Sequence, residues 1–337
     1  MVVLKAVGYG SDAIILANAL KDEVHYLAVA YADEGIALRN AGIRLPILVL
    51  HPQLVNLQKL IDFDLEPSIY ASHILEAFLD LAETNNLKKY PIHLKLNTGL
   101  NRLGFLYKEL NAHISALKAS NNIKIQSVFS HLAASEDLNE KKFTQDQIDN
   151  FISESNDLIH QLDGKPPMRH MLNTSGIINY AARAQFDMVR LGIGLFGFGN
   201  DNYETSQLEN VLCLKSIISQ IHSIEKNQTV GYNRAFVSDK LMRTATIPIG
   251  HADGIFRNLG NGKGYVYIQN QKAPIIGNVC MDMIMVDVSS ITCNEGDEVL
   301  IYKDKEHIIK LATAMNTIPY ELITAISNRI KRVIKKY

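Results

Sequence analysis

The 337 residues contain only three cysteines, Cys213, Cys280 and Cys293, and none has a partner at metal-ligand spacing. A disulfide framework and a cysteine metal site are therefore not expected, and the thiols read as free, as in a reducing compartment. Charge of one sign is scarce too. Lys plus Arg (34) nearly balances Asp plus Glu (35), which excludes the basic footprint that releases counter-ions from nucleic acid. No apolar run approaches the roughly 20 residues that cross a bilayer. The start of the chain has no basic segment followed by an apolar stretch and cleavage site. A cytoplasmic protein that acts on a small molecule is expected, with no nucleic-acid, membrane or metal partner. There is no internal repeat or low-complexity tract.

What is present is apolar content, 47%, enough for a substantial core and for two domains. The first two-thirds alternates short apolar runs with stretches of helical period, the pattern of parallel strands joined by crossover helices. Eight strands are expected at Val2–Ala6, Tyr26–Ala30, Ile47–Leu50, Pro67–Tyr70, His93–Asn97, Val128–Leu132, Arg169–Asn173 and Met188–Gly192, the number that closes a parallel barrel. Among the crossovers, Ala32–Ala41 ends at Gly42 with Pro46 beyond, a helix stop before a strand. Another carries Ile148, Phe151, Ile152, Leu158, Ile159 and Leu162 on one face after Thr144, which reads as its N-cap. From about Leu208 the pattern becomes extended, at Leu214–Ile224, Arg243–Pro248, Gly264–Ile268 and Met283–Val288. Turns fall at Gly260–Gly262 and Asn294–Gly296, and a short helix at Tyr320–Arg329. The expected architecture is α/β: a (β/α)8 TIM-like barrel over residues 1–205, then a β-rich domain over residues 206–337.

A parallel barrel gathers its chemistry at the C-terminal ends of its strands. Here those ends deliver Lys5 and then Tyr9, Lys95 and then Arg102, His131, and Arg190. A lysine among Val3, Leu4 and Ala6 is partly desolvated, which lowers its pKa and frees the amine as a nucleophile.

These stretches resemble the alanine racemases, among the fold-type III pyridoxal-phosphate enzymes. The likeness runs from Val2 nearly to the C-terminus. Val3–Leu4–Lys5–Ala6–Val7–Gly8–Tyr9–Gly10 is similar to the family's cofactor-lysine motif. It implies pyridoxal 5'-phosphate held by Lys5, with a phosphate contact from Tyr9. His93 through Gly104 resembles the segment whose arginine, here Arg102, engages the substrate carboxylate, buttressed in many members by a carbamylated lysine, here Lys95. Ser130–His131–Leu132–Ala133 resembles the stretch beside the pyridine ring. His170 through Ser175 resembles the phosphate-binding stretch, with Asn173 and Thr174. In Met188 through Gly194 the likeness implies that Arg190 faces the pyridine nitrogen, and that Gly192 and Ile193 offer backbone N–H groups to the phosphate. Val230–Gly231–Tyr232 resembles the second catalytic base, and Cys280–Met281–Asp282 the loop at the substrate entrance that binds carboxylate.

Racemisation removes the α-proton from one face of an amino acid and returns one to the other, so two bases are needed, and the resemblance assigns them to Lys5 and Tyr232. A tyrosine is a poor base at neutral pH unless a cation stabilises its phenolate, a role assigned to His131 linked to Arg190. A guanidinium only donates, so the ring nitrogen opposite Arg190 stays an unprotonated acceptor, which suits a racemase better than an aminotransferase. The resemblance also implies a homodimer in which Tyr232 serves the other subunit's site, and D-alanine for peptidoglycan as the product. The residue-based alternatives remain Arg190 paired with Asp187, His131 as a core histidine, and Tyr232, Cys280 and Met281 as packing residues.

Ser11, Asn97, His251 and Asn328 depart from the commoner family pattern. Lys5 also lies close to the start, where family members carry a further strand and helix. The sequence resembles the racemase module that follows a Mur ligase in some fusions. The expectation is a fragment of such a fusion or a misplaced start, less stable than a full-length member and a poor dimer. A racemase of broader amino-acid specificity and a weakly catalytic cofactor-binding fragment are the alternative functions.

Overall fold

The computed structural model describes residues 1–335. Contacts divide the chain into two units. One comprises Met1–Gly8, Ala13–Leu195 and Gly199–Gln207. The other comprises Tyr9–Asp12, Phe196–Phe198 and Leu208–Tyr337, its last two residues lying outside the described ones.

The first unit is an α/β barrel. Its wall is a parallel sheet of seven strands in sequence order: β1 (Val2–Val3), β2 (Leu27–Val29), β3 (Ile47–Val49), β4 (Glu66–Ile69), β5 (Tyr90–Lys95), β6 (Ile123–Phe129) and β7 (Met168–His170). The eighth strand expected at Met188–Gly192 is not a strand. That segment makes isolated bridges, Met188 to His170 on one side and Leu191 to Val2 on the other, and so closes the ring between β7 and β1. Leu191 N also donates to Met1 O.

Strand side chains point alternately to opposite faces. Leu27 and Val29, Ile47 and Val49, Ile69, Ile92 and Leu94, and Val128 all join one apolar cluster with helix residues such as Leu38, Leu60, Leu75, Phe78, Ile148 and Phe151. This outward face is where helices cover the wall. Residues between them, including Ala28, Leu48, Ser68, His93, Lys95, Ser127, Phe129 and His170, are buried on the other face. The helix expected at Ala32–Ala41 spans Ala32–Asn40. The one expected to start at Thr144 begins three residues earlier, as Lys141–Gln161. Thr144 is buried in its first turn, and its hydroxyl donates to Ala134 O at 3.1 Å, so it ties the helix to the preceding loop instead of capping it.

The second unit is built on an antiparallel sheet of β8 (Leu214–Ile217), β9 (Gln220–Ile224), β12 (Met242–Ile247), β13 (Tyr265–Ile268), β14 (Gln271–Ile276), β15 (Ile284–Asp287) and β16 (Glu298–Tyr302). Their order is β8-β16-β13-β14-β15-β12-β9. A small hairpin of β10 (Thr229–Val230) and β11 (Phe236–Val237) lies between β9 and β12 in sequence. Leu214–Ile224, expected as one extended run, is two strands broken at Ile218 and Ser219. The last helix is Pro319–Thr324, shorter than expected, and it follows a helix Lys305–Ala314 whose N-cap is Asp304, accepting from His307 N at 2.8 Å. All three cysteines are free thiols. Among the described residues no helix is long and apolar enough to cross a membrane.

Candidate active site

The strand expected to run through Ala6 stops at Val3. After Leu4 the backbone enters a left-handed turn, with φ of 52° at Ala6, 55° at Val7, 63° at Gly8 and 51° at Tyr9. Each non-glycine residue in that region costs about 1–2 kcal/mol, so the turn needs holding. Glu34, in the first turn of the helix Ala32–Asn40, holds it. One carboxylate oxygen accepts from Ala6 N at 2.7 Å, and the other accepts from Ala30 N at 2.7 Å and Tyr31 N at 3.1 Å. Lys5 thus leaves the barrel wall at a corner pinned by a carboxylate. Burial and then the Arg102 charge lower its pKa, opposed by Glu34.

Lys95 closes β5 on the inward face, buried, with its ammonium over the Phe129 ring. Burial first, then Arg102, Arg190 and Lys5, push its pKa down to about 8. Arg102 sits in the loop after β5. That loop returns on itself because Gly104 has φ of 130° and lies so close to the chain that a Cβ there would meet Asn97 N at 2.8 Å. Asn97 Oδ1 accepts from Gly99 N and Asn101 N. An asparagine at this position therefore shapes the loop through its own backbone contacts.

Arg190 is fully enclosed, and among the described residues its hydrogen-bond partners are acceptors without formal charge. Its guanidinium donates to Ser130 O at 2.7 Å, Met171 O at 2.9 Å and His170 O at 3.3 Å, and to two imidazoles, His170 Nδ1 at 2.7 Å and His131 Nδ1 at 3.0 Å. The pairing with Asp187 does not form; Asp187 instead accepts from Arg169 N at 2.7 Å. Both imidazoles are held well below the usual histidine range, by burial first and then by Arg190. Because a guanidinium only donates, each must accept at Nδ1 and carry its proton at Nε2. His131 is therefore neutral, and the charge beside it belongs to Arg190, Arg102, Lys95 and Lys5.

At the end of β7, Asn173 is the N-cap of the helix Thr174–Ala184, accepting from Gly176 N and from the Ser135 hydroxyl, both at 2.9 Å. The buried Thr174 hydroxyl accepts from Gly194 N at 3.1 Å. A Cβ on Gly194 would lie 2.7 Å from the Thr174 methyl, so a side chain there would push the Thr174 side chain from its place. The N-terminus of this helix, the Thr174 hydroxyl and the turn that starts at Gly192 and Ile193 thus come together at the end of β7.

In the second unit Tyr9 is buried, stacked on Phe196 with centroids 5.0 Å apart, and burial raises its pKa to about 12. Tyr232 is 74% exposed and opens a turn in which Asn233 and Arg234 have positive φ. Asp282 pairs with Arg329 at 2.7 Å beside exposed Met281. Arg329 also bonds Asp253, and His251 is exposed.

A family model described as the alanine racemase N-terminal domain matches residues 1–199, and one described as the C-terminal domain matches residues 211–334. The chain belongs to the alanine racemase family. A relative from Helicobacter pylori strain J99, an alanine racemase, is 36% identical over 351 residues, which cover 99% of this chain and 91% of the relative. The solved alanine racemase of Clostridium difficile 630 superposes with a TM-score of 0.90 at 30% identity, covering 97% of this chain and 86% of that one. The alanine racemase of Bartonella henselae, solved with covalently bound pyridoxal phosphate, gives 0.83 at 28% identity, covering 98% and 91%.

Within this family member, reading the sequence missed Glu34 and the imidazole partner His170. An acidic residue in the first turn of a helix was the available signal for Glu34. His170 alternates with an apolar neighbour at a strand end, as Lys95 does.

Proposed function

We propose that the protein is a pyridoxal 5'-phosphate-dependent isomerase that interconverts L- and D-alanine, with Lys5 and Tyr232 as the two bases and D-alanine for peptidoglycan as the product. The observation that carries this reading is Arg190, a buried donor-only cation fixed between two neutral imidazoles, one of which, His131, also feels the charge of Lys5, a lysine whose own pKa is depressed.

The residues present fit the cofactor. Lys5 is the amine, Arg190 is the donor for a ring nitrogen, and Thr174, Gly192 and Ile193 with the helix N-terminus suit a phosphate. Asn173 shapes that cradle as its N-cap, and Tyr9 is the further phosphate contact. When bound, the cofactor supplies the electron sink that makes an amino acid's α-proton acidic. Arg190 cannot give up a proton to the ring nitrogen, which keeps that sink weak and limits leakage toward transamination. The cluster of Lys5, Lys95, Arg102 and Arg190 is matched only by Glu34 among the groups that shift their pKa values, an imbalance that favours anionic ligands. Arg102 is the clamp for the substrate carboxylate. Lys95, among cations and with a pKa of about 8, holds enough neutral amine to take up carbon dioxide as a carbamate, whose negative charge would then brace Arg102.

His131 has its Nε2–H free to donate, so it stabilises a phenolate by a hydrogen bond while Arg190 supplies the charge. Tyr232 fits the second base. Its exposure supports a homodimer in which it serves the partner's site, with Met281 and Asp282 at the substrate entrance.

The test is to load the protein with pyridoxal phosphate, look for a visible absorbance band, and follow optical rotation with L-alanine, L-serine and L-lysine separately. Alanine is expected to racemise fastest, and Lys5→Ala to lose both band and activity. Faster loss of rotation with serine or lysine would overturn the substrate assignment. A band that survives Lys5→Ala would overturn the anchor.

A further inference from the structure

A barrel interior is ordinarily filled by branched aliphatic side chains. Here β4, β5, β6 and β7 turn Glu66, His93, Ser127 and His170 inward, and these four stand in file between Tyr26 and Arg190. The Tyr26 hydroxyl donates to Glu66 Oε2 at 3.0 Å, and the same oxygen lies 2.6 Å from His93 Nε2. His93 Nδ1 is 2.6 Å from Ser127 Oγ, which is 2.9 Å from His170 Nε2. His170 Nδ1 completes the file at Arg190, 2.7 Å away. Nothing in the proposed chemistry uses Glu66, His93 or Ser127.

The order of donors in this file is determined from its two ends. Arg190 has only N–H groups, so His170 accepts at Nδ1 and holds its proton at Nε2. That proton goes to Ser127 Oγ, and the Ser127 hydroxyl hydrogen goes to His93 Nδ1. His93 then has its own proton at Nε2, where the Glu66 carboxylate accepts it. Each middle group donates once and accepts once. Reversing the file would set His170 N–H against the Arg190 N–H groups at one end and a bare His93 Nε2 against the Glu66 carboxylate at the other. The file also joins the enclosed Arg190 cation, which touches no carboxylate among the described residues, to a buried carboxylate through neutral dipoles.

We propose that Glu66, His93 and Ser127 are positioning residues for Arg190: by fixing His170 as its Nε2–H tautomer they hold the guanidinium in the orientation that meets a ligand's ring nitrogen. The identity of that ligand rests on the function proposed above; the tautomer and the orientation do not.

The experiment uses the full chain loaded with pyridoxal phosphate and labelled with 15N. Two-bond proton–nitrogen spectra of the imidazoles should show His170 and His93 neutral with the proton on Nε2. Ser127→Ala should mix the His170 tautomers and speed hydrogen exchange at the Arg190 guanidinium by about tenfold. It should lower kcat for alanine about tenfold while KM stays within twofold, since Arg190 does not bind the substrate carboxylate. Ser127→Thr, which keeps the hydroxyl, should restore the spectra. Glu66→Gln keeps the shape and removes the charge, and it carries the same readings if the serine variant does not fold. A wild-type His170 protonated on Nδ1, or variant spectra and exchange indistinguishable from wild type, would overturn the proposal. A wild type that shows these tautomers but racemises nothing would support the positioning and refute the function.

Discussion

β5 has two faces, and neighbouring residues on it do unrelated work. Ile92 and Leu94 point outward into the cluster that fastens helices to the barrel wall, while His93 and Lys95 point inward to the polar file and the cationic site. The outward face gains by leaving water, at roughly 25 cal/mol per Å². The inward face holds groups that burial disfavours, kept by matched hydrogen bonds and, under the proposed function, by an anionic ligand. The comparison teaches that stability and chemistry are segregated by strand parity, one residue apart.

The largest expected effect is on chemistry alone. Lys5→Ala should reduce racemisation by about four orders of magnitude, as removal of an essential nucleophile or base does. The variant should unfold at no lower urea concentration, because a partly buried amine is lost. Chiral chromatography of D-alanine together with a urea titration checks both halves. A large loss of stability would mean the inward face also carries the fold.

The mirror experiment is Leu94→Ala. Leu94 is fully buried in the outward cluster, so the cavity should cost about 3 kcal/mol. The kcat of the folded fraction should stay within twofold. A tenfold fall in kcat at saturating substrate would break the segregation.

The same parity explains what could be read from the sequence. Apolar runs located all seven wall strands in order, because most of them turn apolar side chains outward, and the polar residues within or at the ends of the expected strands supplied Lys5, Lys95 and Arg190. Glu66 escaped notice because β4 read as starting at Pro67; an acidic residue inside a barrel has no apolar pattern to announce it. Ala6 read as the end of a strand, yet its φ of 52° belongs to a left-handed turn, which depends on Glu34, 28 residues further on. β14 was missed for a local reason. Its hairpin with β13 turns through Gln269 and Asn270, both at positive φ without a glycine, and Pro274 sits within the strand, so neither usual strand signal was present.

Lys95 tests what burial of charge costs on the inward face. Its folded pKa of about 8 lies below the ordinary 10.5. Between those pH values the unfolded chain holds a proton that the folded chain has released. Stability should therefore rise with pH across that window, with the destabilisation fully present below about pH 8 and worth at most about 3 kcal/mol. Lys95→Met should flatten the rise in urea titrations at pH 7 to 10. Bicarbonate should stabilise the wild type near pH 8 and leave the variant unchanged, because only a carbamate turns this cation into an anion among cations. A wild-type curve as flat as the variant's would show that the amine is solvated after all.

The smallest expected effect concerns the place where the two faces meet. Glu34 lies in a helix that packs on the outward face, yet its carboxylate holds Ala6 N at the corner from which Lys5 departs. Glu34→Gln keeps one oxygen and loses the other as an acceptor for backbone N–H groups, which should cost about 1–2 kcal/mol of stability. Its charge also raises the Lys5 pKa, so in 13C-lysine titrations of cofactor-free protein the Lys5 amine should lose its proton at a lower pH in the variant. The looser turn should lower kcat by less than tenfold and leave KM for alanine unchanged. An unaltered Lys5 titration with unaltered kcat would show that the left-handed turn holds without its carboxylate, and that the outward layer has no part in placing the amine.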